Sequence, residues 1–256
     1  PTVDLVELGH EVRDLLGIEN VLLAPGDQVQ REYRGLGELL GEELCRLELR
    51  RGEVLLVSSG TTTHAVSHAA GLPELPGVIV APTVGGQQES DPTFQTNEIV
   101  RAFADRTGAE PRFAFAPALP SASLWDSLQA DPSFLEITDL WTRARVLVTG
   151  IGSPYARRES LTSVVPREDT GLRGAVGDLC LHFFDADGKE VLYPGSDRLV
   201  RPSVEQLRAI PTSIALAAGG EKVSSIRAGA RTGLFTTLIT DALTAEAVLA
   251  QADGER

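Results

Sequence analysis

Two threonines behind a glycine, Gly60-Thr61-Thr62, form the part of this chain best suited to holding an anion. They belong to the run VLLVSSGTTTHAV, in which an apolar strand at 54–57 meets a Ser58-Ser59-Gly60 turn and a helix opening on Thr61, Thr62 and Thr63. At such a junction a glycine of positive φ brings the backbone close to a ligand, while first-turn N–H groups and threonine hydroxyls face its oxygens. The helix dipole adds about half a positive charge there. A plain helix capped by threonine has the same local pattern, so other segments must separate the two readings.

Four further segments could line the same ligand. In Pro82-Thr83-Val84-Gly85-Gly86-Gln87-Gln88 two glycines stand beside amides, and Gln95 and Asn97 open a helix that runs to Arg106. Amides read hydroxyls as donor and acceptor together; a glycine turn followed by polar helix caps has the same composition. Gly150-Ile151-Gly152-Ser153-Pro154 brings Gly152 to a strand end, but it lacks the third glycine, the helix and the later acidic residue of a dinucleotide fingerprint, so no nicotinamide or other cofactor is expected. Asp178 beside Gly177 can accept from sugar hydroxyls or cap a turn. Lys222 opens a helix at 222–231, where the dipole disfavours a cation; an anionic partner explains it, as does a solvated surface lysine. His64 and His68 lie four apart on one helix face with no evident third ligand, which reads as structure or surface rather than metal. No GxSxG, P-loop or HExxH motif occurs to demand catalysis.

Such loops need a scaffold that gathers them. Short apolar runs at 21–23, 54–57, 77–81, 112–116, 146–149, 214–217 and 235–239 alternate with amphipathic stretches. That pattern predicts an α/β, Rossmann-like, mainly parallel sheet with helices on both faces, whose ligands bind at the carboxyl ends of the strands. The helix predicted at 31–49 carries Leu36, Leu39, Leu40, Leu44 and Leu47 toward the sheet, with Glu38, Glu42, Glu43 and Arg46 facing elsewhere. Alternation around Asp185-Ala186-Asp187-Gly188 within 177–192 predicts an inserted β-hairpin or meander. The aperiodic stretch 152–174, rich in Ser, Thr, Arg, Gly and Pro, reads as a long loop with a short helix, a candidate ligand lid.

With 256 residues, 42% hydrophobic and 23% charged, the chain has the make-up of one globular domain spanning 1–256. A net charge of -13 argues against its gripping a nucleic-acid backbone by itself. Cys45 and Cys180 form neither a disulfide framework nor a zinc pattern, and there is no apolar run of membrane-spanning length, no signal-peptide pattern and no membrane partner; a cytoplasmic protein is expected. The chain opens on Pro1 and contains no methionine, which reads as a trimmed or processed product.

Five segments in order, VLLVSSGTTTHAV, PTVGGQQ with QTNEIVRAFADRTGA, LVTGIGSP, GAVGDLCLHFFDADGKEV and LRAIPTSIALAAGGEKVSSIRAGARTGLFTTLITDALTA, resemble the effector-binding domain of the SorC/DeoR-type bacterial sugar-responsive transcription regulators. The resemblance covers nearly the whole chain. It implies a fold related to sugar-phosphate isomerases and CoA transferases, a phosphorylated sugar at the strand ends, and a homo-oligomer, dimer or tetramer, that responds to ligand. By position, Gly60, Thr61 and Thr62 match the family's phosphate loop, Gly85, Gly86, Gln95 and Asn97 its second ligand loop, and Asp178 and Lys222 the residues at the far end of the effector; Gly152 completes the candidate set. Val84 stands where some members carry a Schiff-base lysine or a contacting arginine, so one phosphate held without a covalent bond is expected. The family's N-terminal helix-turn-helix has no counterpart among these residues, and contact with operator DNA is expected only through such a domain. The reading is a non-catalytic sugar sensor; the rivals are a sugar-phosphate isomerase or hydrolase using Asp178 or Lys222 as general acid or base, and a purely structural oligomerisation module.

Overall fold

The computed structural model describes residues 4–87, 91, 95–154 and 171–254. Among them are strands β1 (Asn20–Ala24), β2 (Val54–Val57), β3 (Ile79–Pro82), β4 (Glu110–Pro111), β5 (Ala144–Gly150), β6 (Gly177–Leu179), β7 (His182–Phe184), β8 (Thr212–Leu216) and β9 (Thr237–Asp241). The helices are α1 (Leu5–Leu16), α2 (Arg34–Leu47), α3 (Thr61–Ser67), α4 (Thr96–Thr107), α5 (Ala122–Leu128), α6 (Pro132–Thr142), α7 (Val204–Ala209), α8 (Val223–Arg231) and α9 (Ala242–Gly254). Seven strands pair in parallel in the order β1-β9-β8-β5-β2-β3-β4, and β6 pairs antiparallel with β7 outside that sheet.

Both faces of the sheet are buried, so its strands are apolar at successive positions and alternate residues enter opposite cores. Val54 and Leu56 join a core with Val12 of α1, Trp141 of α6, Ile226 of α8 and Val248 of α9. Leu55 and Val57 join the other, with Leu36, Leu40 and Leu44 of α2 and Ile99, Val100 and Phe103 of α4. A third, smaller cluster of Val84, Leu172, Leu181, Phe183, Tyr193 and Leu199 lies under the β6–β7 segment. The expected fold is therefore present.

Local differences have local causes. The strand expected at 112–116 is instead the two-residue β4: Pro111 offers no N–H, the Arg112 N–H makes one more bond to Val80 O at 2.8 Å, and the Asn97 amide then takes both backbone groups of Ala114. Phe115 is left 86% exposed. The helix expected at 31–49 is shortened at both ends by left-handed residues, Glu32 and Tyr33 (φ 51° and 60°) before α2 and Glu48 (φ 45°) after it. Glu43 does not face away from the core; it is buried at 3% exposure, and its carboxylate is met by Arg46, whose side chain reaches solvent. The turn expected at Asp185–Gly188 is there, closed by Asp185 N–H to Lys189 O at 2.9 Å, with Phe184 bridging Glu190. An earlier turn at Cys180 and Leu181, both of positive φ, joins β6 to β7 and makes the insert a three-part meander. Of the expected lid at 152–174, residues 155–170 lie outside the described residues, and Leu172–Gly174 is a 3-10 turn.

Candidate functional site

The sheet changes direction between β2 and β5: the chain continues from β2 outward to β3, and from β5 to β8 on the opposite side. Ligands of open parallel sheets bind in the crevice at the carboxyl ends of such a switch. Here the loops after β2, β5, β8 and β3 are tied together. Ser58 N–H donates to Val148 O at 3.0 Å and Ser58 Oγ accepts from Gly150 N at 3.3 Å, fastening the loop after β2 to the end of β5. Gln87 Nε2 donates to Ser59 Oγ at 3.2 Å, and Gln95 Nε2 donates to Gln87 O at 3.2 Å, adding the loop after β3 and the start of α4.

Gly60 is the N-cap of α3, at φ 135° and ψ 160°, a conformation essentially confined to glycine, and no side chain caps the helix. The turn is held from within: Gly60 O accepts from Thr63 Oγ1 at 2.9 Å and from His64 N at 2.8 Å. Thr61 is exposed at the helix start, whereas Thr62 is buried beside the Tyr33 phenol. Burial, and then the nearby Glu221 carboxylate, raise the pKa of that phenol.

Three expected residues from distant segments meet at the end of β5. Gly152 N–H donates to Asp178 O at 2.9 Å, and Lys222 Nζ donates to Ile151 O at 2.8 Å. Asp178 is 8% exposed, and its Oδ2 accepts from Leu181 N at 3.0 Å. Behind it the buried side chains of His182 and Arg201 meet the more exposed Glu190 carboxylate. Arg201 donates to Leu181 O and to Glu190 Oε1, the latter at 3.3 Å, while His182 Nδ1 lies 2.7 Å from that same oxygen and its Nε2 donates to Pro202 O at 2.9 Å. The His182 hydrogen bond, helped by Arg201, holds the Glu190 carboxyl below its usual range, and burial lowers the pKa of Arg201. These contacts fasten the meander over the strand ends. Burial pushes the Cys180 thiol up to about 11, which makes it a poor nucleophile.

The remaining expected residues are engaged by the fold. Gly85 N–H donates to Val200 O at 3.0 Å and Gly86 N–H to Ala116 O at 2.8 Å, so neither amide faces a ligand. Both ends of the Asn97 amide are bound to the backbone of Ala114, at 2.9 and 3.1 Å. Val84 points into the small core under the meander. Tyr33, Ser59 and Gln87 were not singled out from the sequence; Ser59 and Gln87 stand inside segments that were, whereas nothing local distinguishes Tyr33. His64 and His68 stack on α3 with ring centroids 4.9 Å apart. They border a groove of about 510 Å³ toward α4. A second groove, of about 820 Å³, opens toward the start of α2. Neither contains Thr61, Asp178 or Lys222. The strand ends gather buried hydroxyls, an uncapped helix start and an ammonium group, and are the better-built site.

Residues 1–250 match the family model described as "Putative sugar-binding domain". The chain belongs to this sugar-binding domain family. The domain is 28% identical over 261 residues to the deoxyribonucleoside regulator of Bacillus subtilis, covering 97% of this chain and 81% of that protein. It is 25% identical over 251 residues to the sorbitol operon regulator of Klebsiella pneumoniae, covering 94% and 79%. In three dimensions the domain superposes on the full-length sorbitol operon regulator from Klebsiella pneumoniae with a TM-score of 0.85 at 25% identity, over 96% of this chain and 81% of that one. A probable sor operon regulator from Shigella flexneri gives 0.83 at 25% identity, over 96% and 100%. Among the described residues no helix is long and apolar enough to cross a membrane.

Proposed function

We propose that this sugar-binding domain is the sensor of a transcription regulator, binding a phosphorylated sugar at the carboxyl ends of β2, β5 and β8 without turning it over. The observation that carries the reading is the convergence of Gly60-Thr61-Thr62, Gly152, Asp178 and Lys222 at the point where the sheet changes direction. The start of α3 and the Lys222 ammonium suit a phosphate, and Asp178 suits sugar hydroxyls. Asp178 and Lys222 are each anchored to backbone groups, which favours holding a ligand over relaying protons. With Val84 facing the small core, no amine or guanidinium comes from that position, in keeping with a single phosphate held without a covalent bond.

The domain works in the cytoplasm as a homo-oligomer and reaches operator DNA through a separate DNA-binding domain. Its effector must prefer one arrangement of the assembly, because a ligand of equal affinity for both shifts neither. A thermal-shift screen of free and phosphorylated sugars, followed by an assay for turnover of every hit, tests the reading. Stabilisation by sugar phosphates without product is expected, and steady conversion would overturn it. Thr61→Ala and Thr62→Ala should each weaken phosphorylated sugars about tenfold or more, the loss of a charge-assisted hydrogen bond, while affecting unphosphorylated parents little; equal losses for both would argue against a phosphate loop.

A further inference from the structure

The loop after β3 carries polar atoms that the fold leaves without partners. Among the described residues five buried side-chain polar atoms have none, and three of them, Thr83 Oγ1, Gln87 Oε1 and Thr96 Oγ1, fall in this loop or at the helix start behind it. Thr83 at least has the Cys180 thiol nearby. Gln87 is the sharper case: the residue is 6% exposed, and its Nε2 is committed to Ser59 Oγ, which leaves Oε1 as a buried acceptor with no donor among the described residues. Native folds satisfy nearly all such atoms, so each exception calls for an explanation, and a bound partner is one.

Ser59 supplies the complementary half. Its oxygen accepts from Gln87, so its own hydrogen is available to donate, and among the described residues no acceptor takes it. One acceptor and one donor, joined by a 3.2 Å hydrogen bond, therefore sit side by side one residue before Gly60. The chemical group that matches this pair is an alcohol, which donates once and accepts once. Turning the Gln87 amide over leaves an orphan donor in place of the acceptor, and a hydroxyl still fits.

We propose that Gln87 and Ser59 together read one unphosphorylated hydroxyl of the sugar, making Gln87 a specificity-determining residue. This rests on the strand ends being the effector site. The pair lies on the β3 side of Gly60, away from Lys222 on the β8 side, so the pocket reads a sugar hydroxyl on one flank of the phosphate cradle and places a cation on the other. A site that hydrogen-bonds an alcohol rejects the deoxy analogue because its own buried groups are then left unpaired.

Titration calorimetry on the wild type, Gln87→Met and Ser59→Ala tests this, with ribose 5-phosphate, fructose 6-phosphate, glucose 6-phosphate and their monodeoxy analogues as probes and inorganic phosphate as control. The wild type should discriminate up to about a hundredfold against one deoxy position, the cost of leaving a buried polar group unpaired. Gln87→Met should erase that discrimination by weakening the hydroxylated sugar alone, with inorganic phosphate unaffected. Its ligand-free melting temperature should not fall, because an apolar chain of similar length replaces an unsatisfied acceptor. Should Gln87→Met misfold, Ser59→Ala, which alters a half-exposed hydroxyl, carries the same expectation. Discrimination that survives both variants, or a loss shared equally by oxy and deoxy sugars, overturns the role of the pair and leaves the effector site standing. Absence of binding by every sugar phosphate in the wild type overturns the site and this inference with it.

Discussion

Two glycine-bearing loops follow neighbouring strands, 58–62 after β2 and 83–87 after β3, and their backbones serve opposite ends. In the first, Gly60 adopts φ 135°, no side chain caps α3, and a Cβ added there would meet only Thr63 Oγ1 at 3.5 Å. In the second, the amides of Gly85 and Gly86 are bound to Val200 and Ala116, and a Cβ on Gly85 would lie 2.7 Å from Ala116 O and 3.0 Å from Ala118 N. Glycine is needed at Gly60 for its conformation and at Gly85 for the closeness of another strand of backbone. The first leaves polar groups open to a ligand; the second closes them. What the loop after β3 contributes to a pocket comes from the side chain of Gln87 rather than from its glycines.

The largest effect should come from the closed loop. Gly85→Ala forces a methyl against backbone atoms that cannot rotate away, and overpacking of this kind should cost about 3 kcal/mol. Urea denaturation of the ligand-free protein reads it directly, and a loss near zero would mean that segment 116–118 is free to move. Gly60→Ala makes only an ordinary contact with Thr63 Oγ1 but keeps a dihedral pair that only glycine adopts comfortably, so about 2 kcal/mol is expected. The variants separate further with ligand: Gly60→Ala should also weaken sugar phosphate binding, because relief of its strain moves the start of α3, whereas Gly85→Ala protein that remains folded should bind nearly as the wild type does. The reverse pattern would exchange the roles of the two loops.

This contrast also marks how far the sequence could be read. Periodicity located six of the seven strands of the sheet with close bounds, and the order of small residues pointed to the ends of β2, β5 and β8, because burial on both faces writes itself into runs such as Val54–Val57. It displaced β4, since the proline that ends that ladder and the Asn97 amide that replaces it act through partners far along the chain. For the same reason Gly85 and Gly86 looked like a ligand loop: a glycine packed against backbone and one facing a ligand are identical until the third dimension is known. Glu43 shows the limit on helices, for a buried carboxylate with its own arginine partner fits the same spacing as a solvated one. Tyr33 illustrates a signal that was absent altogether, because its place beside Thr62 depends on two successive left-handed residues that no local motif announces.

A titration offers the smallest but most selective contrast. His64, on α3, has a pKa lowered chiefly by burial and then by His68, with Asp91 acting in the opposite sense; Glu98, Arg101, Asp105 and Arg106 face the same groove. Above about pH 6.5 the imidazole is neutral in folded and unfolded chains alike, and no stability is lost. As pH falls through that value the unfolded chain takes up the proton first, so stability declines until the lowered folded-state pKa is passed. The Glu190 carboxyl, also lowered, acts only below the ordinary carboxylate range and leaves this window clear. Residues 85–87 after β3 carry no titrating side chain, so the loop after β3 adds no pH response of its own in this window. Urea midpoints at pH 7.5 and 5.5 should therefore drop less in His64→Gln than in the wild type. If α3 transmits the change, sugar phosphate affinity should fall with pH in the wild type more than in the variant, after allowance for titration of the phosphate itself. An identical pH dependence in both proteins would separate the His64 imidazole from the cradle.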